Sequence, residues 1–141
     1  MAIIKRETDY AVRAMARLAH DAESLPVSTL AREEDIPELF LRKIMQTLSR
    51  AGFVESRQGP FGGYHLARPP GEVTVLDILE AVQGPLVMNE CFATPEVCGR
   101  VDFCPLRKRL AELQVELNAS LDKMSLADIV DAIAATEGAR K

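Results

Sequence analysis

The sequence predicts a mainly helical protein that carries one small β-hairpin. Apolar residues return with the spacing of an α-helix in several separate segments, and β-prone residues are concentrated around a single glycine- and proline-rich stretch, "GPFGGY". The chain has 141 residues, 48% of them hydrophobic and 27% charged, which is ordinary for a domain that buries a core.

The first predicted helix is amphipathic, and its apolar stripe consists of Ala11, Ala14, Met15, Leu18, Ala19 and Ala22. Thr8 and Asp9 precede this stripe and form a first turn, where an acid suits the helix dipole. After the loop "DAESLP", Ser28 or Thr29 is predicted to cap a short second helix in "VSTLAREEDI".

The third predicted helix, "ELFLRKIMQTLSRAG", has two chemically different faces. Pro37 stands at its first turn, and Gly52 occupies its C′ position. One face is apolar and consists of Phe40, Leu41, Ile44, Met45, Leu48 and Ala51. The opposite face carries Arg42, Lys43, Gln46, Ser49 and Arg50. We expect the first face to pack and the second to be free for binding.

A hairpin and a fourth helix follow. Two short β-prone runs in "FVESRQGPFGGYHLARPP" predict a hairpin with a glycine-rich tip. Thr74 and Asp77 then have capping-box spacing, and Gly84 and Pro85 end the fourth helix.

After Pro105 the chain has leucine-rich, near-heptad spacing at Leu106, Leu110, Leu113, Leu117, Leu121 and Met124. This run is shorter than a convincing coiled coil, so packing within the monomer stays open beside a dimer seam, which we favour. Ser125 and Asp128 then cap a last amphipathic helix.

The order helix, short helix, basic helix and hairpin is that of a winged helix-turn-helix, whose third helix can enter the major groove of DNA. Arginine and lysine can donate to guanine, and glutamine can pair with adenine. The candidate DNA contacts are Thr29, Leu39, Arg42, Lys43, Gln46, Arg50, Arg57, Gln58, Gly59, Gly62, Gly63 and His65. A merely solvated charged face is the alternative, and the order of the elements favours DNA.

The charge distribution agrees with an anionic ligand for this segment only. The net charge of the chain is −4, yet residues 39–68 contain five basic residues and one acid, a local balance of +4. The carboxyl-terminal half is correspondingly acidic.

All three cysteines lie in one loop, "CFATPEVCGRVDFC", at Cys91, Cys98 and Cys104. The amino terminus shows neither a long apolar stretch nor a cleavage site, so we expect a cytoplasmic protein with reduced thiols and no membrane insertion. Soft thiolates suit an iron–sulfur cluster or zinc. The spacing lacks the close cysteine pairs of structural zinc sites, and a metal-free thiol switch also stays open.

Four stretches together resemble the IscR/NsrR-type bacterial regulators, the Rrf-two family: "TDYAVRAMARLA", "LFLRKIMQTLSRAGFV", "GPFGGYHLARP" and the cysteine loop. The resemblance covers roughly residues 3–131. It implies a winged-helix homodimer that binds a partly palindromic, double-stranded operator. Two positions depart from the family pattern: Gln58 where many members have arginine before the hairpin glycine, and Arg42 where the iron–sulfur assembly regulator has an acid.

The resemblance also implies a [4Fe-4S] or [2Fe-2S] cluster held by Cys91, Cys98 and Cys104. The assembly regulator has a histidine three residues beyond its last cysteine, where this chain has Arg107, which cannot ligate. The nitric-oxide-sensing branch uses an aspartate in a "TD" pair, matched here by Thr8 and Asp9. We therefore expect Asp9, donated by the opposite subunit, as the fourth ligand, with Glu90 as a weaker candidate.

These observations predict a transcriptional regulator, not an enzyme, whose operator affinity follows a redox, nitric oxide or iron signal through the cluster. A cluster-free thiol-switch or zinc regulator is the alternative. A redox enzyme or electron carrier is disfavoured by the few cysteines and the lack of a nucleotide-binding glycine motif. The predicted organisation is a DNA-binding domain (1–84), a sensor loop (85–104), and a dimerisation helix with a C-terminal helix (105–141).

Overall fold

The fold was obtained as a computed structural model, which describes residues 2–140 and the side chains up to residue 138. Its helices are α1 (Arg6–Asp21), α2 (Val27–Glu34), α3 (Glu38–Arg50), α4 (Val75–Gln83), α5 (Glu90–Ala93), α6 (Pro105–Lys123) and α7 (Leu126–Arg140). Strands β1 (Val54–Arg57) and β2 (Gly63–Leu66) form one antiparallel hairpin, in which Val54 faces Leu66. The prediction of a mainly helical protein with a single β-hairpin is confirmed.

One main core joins the helix-turn-helix to the end of the chain. It buries the apolar faces of α1 and α3, the first residue of β1, part of α4 and Leu126 of α7. A smaller core between α4 and α6 contains Val75, Leu79, Leu86 and Leu121. Because Leu86 follows α4 directly, the start of the cysteine-containing segment is anchored on α6.

Helix ends follow the predicted capping in some places and not in others. Thr74 and Asp77 form a capping box on α4, and the backbone N–H of Asp128 donates to Ser125 Oγ at 3.1 Å. The predicted cap of α2 at Ser28 or Thr29 is wrong, since α2 begins at Val27 with Pro26 in the N-cap position. The rigid extended backbone of that proline starts the helix earlier.

Two arginines of α1 form hydrogen bonds to the last residue of α2. Arg17 Nε donates to Glu34 Oε1 at 3.0 Å, and Arg13 donates to the backbone carbonyl of Glu34. Burial alone would lower the pKa of Arg17, but its hydrogen bond to Glu34 and the neighbouring carboxylates raise that pKa above its ordinary value. The guanidinium therefore stays charged, and its charge-assisted hydrogen bond connects α1 with the end of α2.

The C-terminal helices pack back against the first half of the chain. Helix α7 packs against α1, and the backbone N–H of Leu126 donates to the carbonyl of Val73 at 2.8 Å. The N–H of Val75 donates to the carbonyl of Met124, also at 2.8 Å, so the α6–α7 corner is bonded to the start of α4. Within residues 2–140, no helix is both long and apolar enough to cross a lipid bilayer.

Candidate nucleic-acid interface and cysteine site

The exposed side of α3 presents a row of side chains that we call the reading face: Leu39, Arg42, Lys43, Gln46 and Arg50. Their spacing of three, four, seven and eleven residues from Leu39 keeps them on one side of an α-helix. The opposite side is anchored by Leu41, Ile44, Met45 and Leu48, which are buried in the main core. Leu39 is 78% exposed at the amino end of the row.

Few carboxylates neutralise this face. Arg42 Nη2 lies 3.2 Å from Glu38 Oε1, an exposed pair on the same helix, while Arg50 donates to Thr47 Oγ1 at 3.4 Å. Among the described residues, no carboxylate lies within salt-bridge distance of Lys43 or Arg50. An exposed ion pair such as Arg42–Glu38 contributes little stability, so a DNA phosphate can replace the glutamate as the partner of Arg42.

Phe40 and Ala51 differ from the predicted apolar face of α3, because both are exposed to solvent. Phe40 lies at the edge of the core, 40% exposed, with its ring edge-to-face on Tyr10 at 5.8 Å between centroids. The apolar face that actually packs is therefore narrower than the sequence pattern indicated.

The hairpin is fastened to the loop between α1 and α2. The backbone N–H of Leu25 donates to the carbonyl of Tyr64 at 2.9 Å, and the N–H of Tyr64 donates back at 2.8 Å. Gly63 has a φ of +137°, and a Cβ there would lie 2.2 Å from the carbonyl carbon of Leu25. A side chain would separate the two segments, so this glycine is what lets the hairpin approach the helix-turn-helix.

The hairpin residues that are predicted to contact DNA differ in their solvent exposure. Arg57, Gln58 and Gly59 are exposed, whereas Gly62, Gly63 and His65 are half-buried. His65 Nε2 lies 3.3 Å from Glu55 Oε2 across the two strands. Thr29, the predicted contact on α2, is also half-buried.

Phe61 at the hairpin tip is a candidate that sequence reasoning missed. Its side chain is 89% exposed, the largest exposed fraction among the large hydrophobic residues of the described chain. The signal available in the sequence was an aromatic residue between Pro60 and the paired glycines, in a turn that cannot bury it. An exposed aromatic side chain of this kind can contact the sugars and bases of a DNA groove.

The three thiols line one cavity of about 200 Å³, here called the cysteine cavity. Cys91 is buried, Cys104 is half-buried and Cys98 is exposed, and no two of them are joined in a disulfide. The cavity is also lined by Glu90 and Arg107, together with Asn89, Val97 and Val101. The loop therefore brings its cysteines together although they are spread over fourteen positions of sequence.

Cys104 and Arg107 set the electrostatics of this cavity. Cys104 is the N-cap of α6, and its sulfur accepts the backbone N–H of Arg107 at 3.4 Å. The Arg107 guanidinium lies over the Phe92 ring, 5.4 Å from its centroid. Its Nε is buried and has no hydrogen-bond partner among the described protein atoms. Arg107 thus lines the cavity together with the three cysteines, and the N-terminus of α6 begins at one of them, which suits an anionic occupant.

The cavity offers the thiol ligands that iron–sulfur clusters use. Its possible ligands are not grouped as closely as those around a single metal ion. No three of the described His, Cys, Asp and Glu residues are gathered closely enough to hold one metal ion. In a [4Fe-4S] core, the protein thiolates bind different iron atoms and stand farther apart than the ligands of one ion, so a shared cavity is the relevant requirement. Three thiols and the side chain of Arg107 around one space fit such an anionic core.

Asp9 does not line the cysteine cavity of its own chain. It lies in the first turn of α1, where its carboxylate accepts a 3.4 Å hydrogen bond from Arg13. Its side chain is 60% exposed, so it is accessible to a second subunit. Glu90, the weaker candidate for a fourth ligand, is the acid that does line the cavity.

Helix α6 uses its leucines in two ways. Leu121 is buried in the smaller core, and Leu117 packs against that core within the same chain. Leu106 and Leu113, farther toward the amino end, are 62% and 47% exposed. Packing within the monomer therefore applies to the carboxyl end of the helix, while the leucines nearer its amino end are left exposed.

Comparison with known proteins identifies the family. The family model for Rrf2, described as an iron-dependent transcriptional regulator, matches residues 4–132. This chain belongs to the Rrf2 family. The expectation drawn from the four sequence stretches is confirmed, and so is the winged-helix fold.

Three similar proteins illustrate the family. Protein aau3 of Rhizobium meliloti is 37% identical over 94% of this chain and 85% of its own length. The structure of CymR, the global cysteine regulator of B. subtilis, has a TM-score of 0.80 at 25% identity, over 94% of this chain and 98% of that chain. T. potens IscR has a TM-score of 0.75 at 25% identity, over 92% of this chain and 87% of that chain.

The Rrf2 chain described here is therefore a transcriptional regulator of the DNA-binding winged-helix type, and not an enzyme.

Proposed function

We propose that this Rrf2 protein is a homodimeric DNA-binding regulator whose operator affinity is controlled by an iron–sulfur cluster in the cysteine cavity. The observation that carries the proposal is the convergence of Cys91, Cys98 and Cys104 on one space beside an unpartnered Arg107 Nε. A buried N–H without a partner is costly, and an anionic occupant would remove that cost.

The three thiols differ in their burial and in the elements that carry them. Cys91 on α5 holds the buried wall of the cavity, Cys104 stands at the start of α6, and Cys98 on the intervening loop is exposed. A bound [4Fe-4S] or [2Fe-2S] cluster supplies redox chemistry and reactivity towards oxygen and nitric oxide. The exposure of Cys98 gives such small oxidants a route of approach.

Arg107 supplies a positive charge beside the thiolates in this proposal. It cannot ligate, but its Nε–H can donate to a sulfur, and its positive charge offsets the negative charge of the thiolates. The stacking on Phe92 holds the guanidinium beside the cavity. Its presence leaves the fourth ligand to a carboxylate, Asp9 of the opposite subunit or Glu90 of the same chain.

On the DNA side, we propose that the reading face lies in the major groove and the hairpin lies against the backbone and the minor groove. Arg42, Lys43, Gln46 and Arg50 offer donors to bases and phosphates, with Leu39 and Thr29 at the edges of the contact. The hairpin would add Arg57, Gln58, Gly59, Gly62, Gly63 and His65, and also Phe61.

Two reading faces on a two-fold axis would match a partly palindromic operator. The exposed half of the α6 leucine run, Leu106 and Leu113, is the surface we propose for the dimer. We propose the same division as the sequence predicts: DNA binding by residues 1–84, sensing by 85–104, and a dimerisation helix followed by a C-terminal helix in 105–141.

A chain of contacts connects the cysteine cavity with the reading face. The backbone N–H of Met88 donates to Gln114 Oε1 of α6 at 2.7 Å, just before α5. Leu86 is fixed in the smaller core, and α4 packs against both α1 and α3. Movement of the cysteine loop would therefore reach α3 through α4, and reach the dimer surface through α6, provided that the two arrangements bind the cluster with different affinity.

A thiol switch is the second candidate, favoured by two observations. The cysteines are free and Cys98 is exposed, as a redox-sensing thiol must be. The structure also resembles CymR, a cysteine regulator. Zinc, the remaining alternative, would need the loop to close further, because no three described ligands are grouped for one ion.

Iron and acid-labile sulfide, measured per subunit after anaerobic reconstitution, test the proposal. The wild-type chain should bind both in a fixed ratio, and Cys98→Ala should lose them. Val97→Ala, which alters the same cavity without removing a thiol, should retain them. A colourless wild-type protein without sulfide would overturn the cluster and leave the thiol switch.

A further inference from the structure

A second cavity, here called the hairpin cleft, opens beside the DNA-binding hairpin. It has a volume of about 450 Å³ and lies between the end of α1, the following loop and the base of the hairpin. It shares no residue with the cysteine cavity. We propose that this cleft binds a small organic carboxylate.

The first support is the distribution of unsatisfied polar atoms. Among the described residues, the buried side-chain atoms without a hydrogen-bond partner are Ser24 Oγ, His65 Nδ1 and Arg107 Nε. Ser24 and His65 both line the hairpin cleft. Because unpaired buried polar groups are rare, two of them on side chains of one lining single out this cleft.

The second support is the charge of the cleft. Arg57 and Arg68 both line it, and neither has a carboxylate within salt-bridge distance in the described chain. The Arg68 guanidinium is held over the Phe53 ring at 5.2 Å from its centroid, so its position is defined before any ligand arrives. Glu23 is the acidic residue of the lining, and it is exposed. Two cations in the lining of one cavity favour an oxyanion.

The third support is the apolar part of the lining, here called the apolar wall, which indicates an organic ligand. Leu18, Ala19, Leu66 and Pro69 face the same space. A DNA phosphate would use the arginines but would gain nothing from this wall, whereas a carboxylate with a short hydrocarbon or aromatic body would use both. The volume is within the range of small-molecule sites.

Occupancy would influence DNA binding, a consequence that depends on the proposed function. Arg57 and His65 belong to the hairpin contacts, so a carboxylate in the cleft would neutralise charge that otherwise faces the phosphates. The ligand would thus weaken operator binding independently of the cluster. Ligand binding itself needs neither DNA nor cluster, so it can be measured separately.

Titration of the full-length protein with benzoate, followed by calorimetry and by NMR shifts of the amides around Ser24 and His65, tests the site in the absence of DNA. We expect saturable binding to the wild-type chain, about tenfold or more weaker for Arg68→Met, and unchanged for Arg109→Met on α6. Benzamide, which has the same shape without the charge, should not bind. Inorganic phosphate should compete only weakly, because it leaves the apolar wall uncovered.

Ser24→Ala provides an independent variant. It should weaken benzoate binding while leaving the free energy of unfolding equal or higher, because the hydroxyl it removes has no partner. Absence of saturable shifts in the wild-type chain would overturn the proposal, as would equal binding by Arg68→Met. Loss of DNA affinity in Arg68→Met without any benzoate binding would also overturn it, and would reassign the cleft to a DNA phosphate.

Discussion

The hydroxyl of Thr8 donates a 2.7 Å hydrogen bond to Oε1 of Gln83, joining the first turn of α1 to the last residue of α4. The same oxygen accepts the backbone N–H of Lys5 at 3.0 Å, and Nε2 of Gln83 donates to the carbonyl of Ile3 at 3.0 Å. Gln83 therefore holds the segment that carries Asp9, and it does so one residue before the chain turns into the cysteine-containing segment. This side chain links the two regions that the cluster proposal requires to act together.

Breaking this link should destabilise the fold. Thr8 is only 1% exposed, so Gln83→Leu leaves its hydroxyl buried without a partner, at a cost of about 1–3 kcal/mol in the free energy of unfolding. Denaturant unfolding measures the change. In the double variant with Thr8→Val, most of this cost should disappear, because no buried hydroxyl remains. Strictly additive costs would contradict the pairing.

Lys43 should contribute to DNA binding through the phosphate backbone. Lys43→Ala should weaken binding to all duplex sequences and lower the slope of log K against log salt by about 1. Lys123→Ala, which removes an equally exposed lysine from the end of α6, is the matched control and should change neither quantity. Fluorescence anisotropy on the operator and on mixed-sequence DNA separates the two effects. Equal behaviour of both variants would argue against the reading face.

Phe61 should contribute to operator affinity and not to the free energy of unfolding. Its side chain is 89% exposed, so Phe61→Ala should leave the free energy of unfolding within about 0.5 kcal/mol of wild type. Operator affinity should fall by about tenfold, since a buried aromatic contact is lost from the complex. Phe61→Leu should restore part of the affinity. Full affinity in Phe61→Ala would remove the hairpin tip from the interface.

The exposed half of the α6 leucine run should hold the dimer together. Leu113→Lys places a charge in the proposed seam and should shift the protein to monomers in sedimentation equilibrium. Val115 is 69% exposed and lies two residues farther along the helix, on a different face, so Val115→Lys serves as the control and should remain dimeric. Dimers in both variants would place the seam elsewhere.

Elements with local signals could be predicted from the sequence. The capping box at Thr74 and Asp77 depends on residues three apart, and the structure contains it. Gly52, with a φ of +84°, follows α3 as the C′ position requires. The polar side of α3 likewise depends on helical spacing, so the exposure of Arg42, Lys43, Gln46, Ser49 and Arg50 could be predicted from the sequence.

Features that depend on distant residues could not be predicted. The partners Thr8 and Gln83 are 75 residues apart, and no pattern in either segment indicates the other. The division of the α6 leucines between a core and an exposed surface depends on where Leu86 and α4 pack. The position of Arg107 beside the thiols and the unpartnered atoms of the hairpin cleft follow from tertiary packing, which residue spacing does not encode.

The most direct test of the central claim compares operator affinity before and after the cluster is loaded, on one preparation under anaerobic conditions. The account predicts that the reconstituted and apo forms differ by about tenfold or more in Kd, and that Cys98→Ala behaves as the apo form under both conditions. Identical affinities for the two wild-type forms, with iron and sulfide bound in one of them, would contradict control of DNA binding by the cysteine cavity.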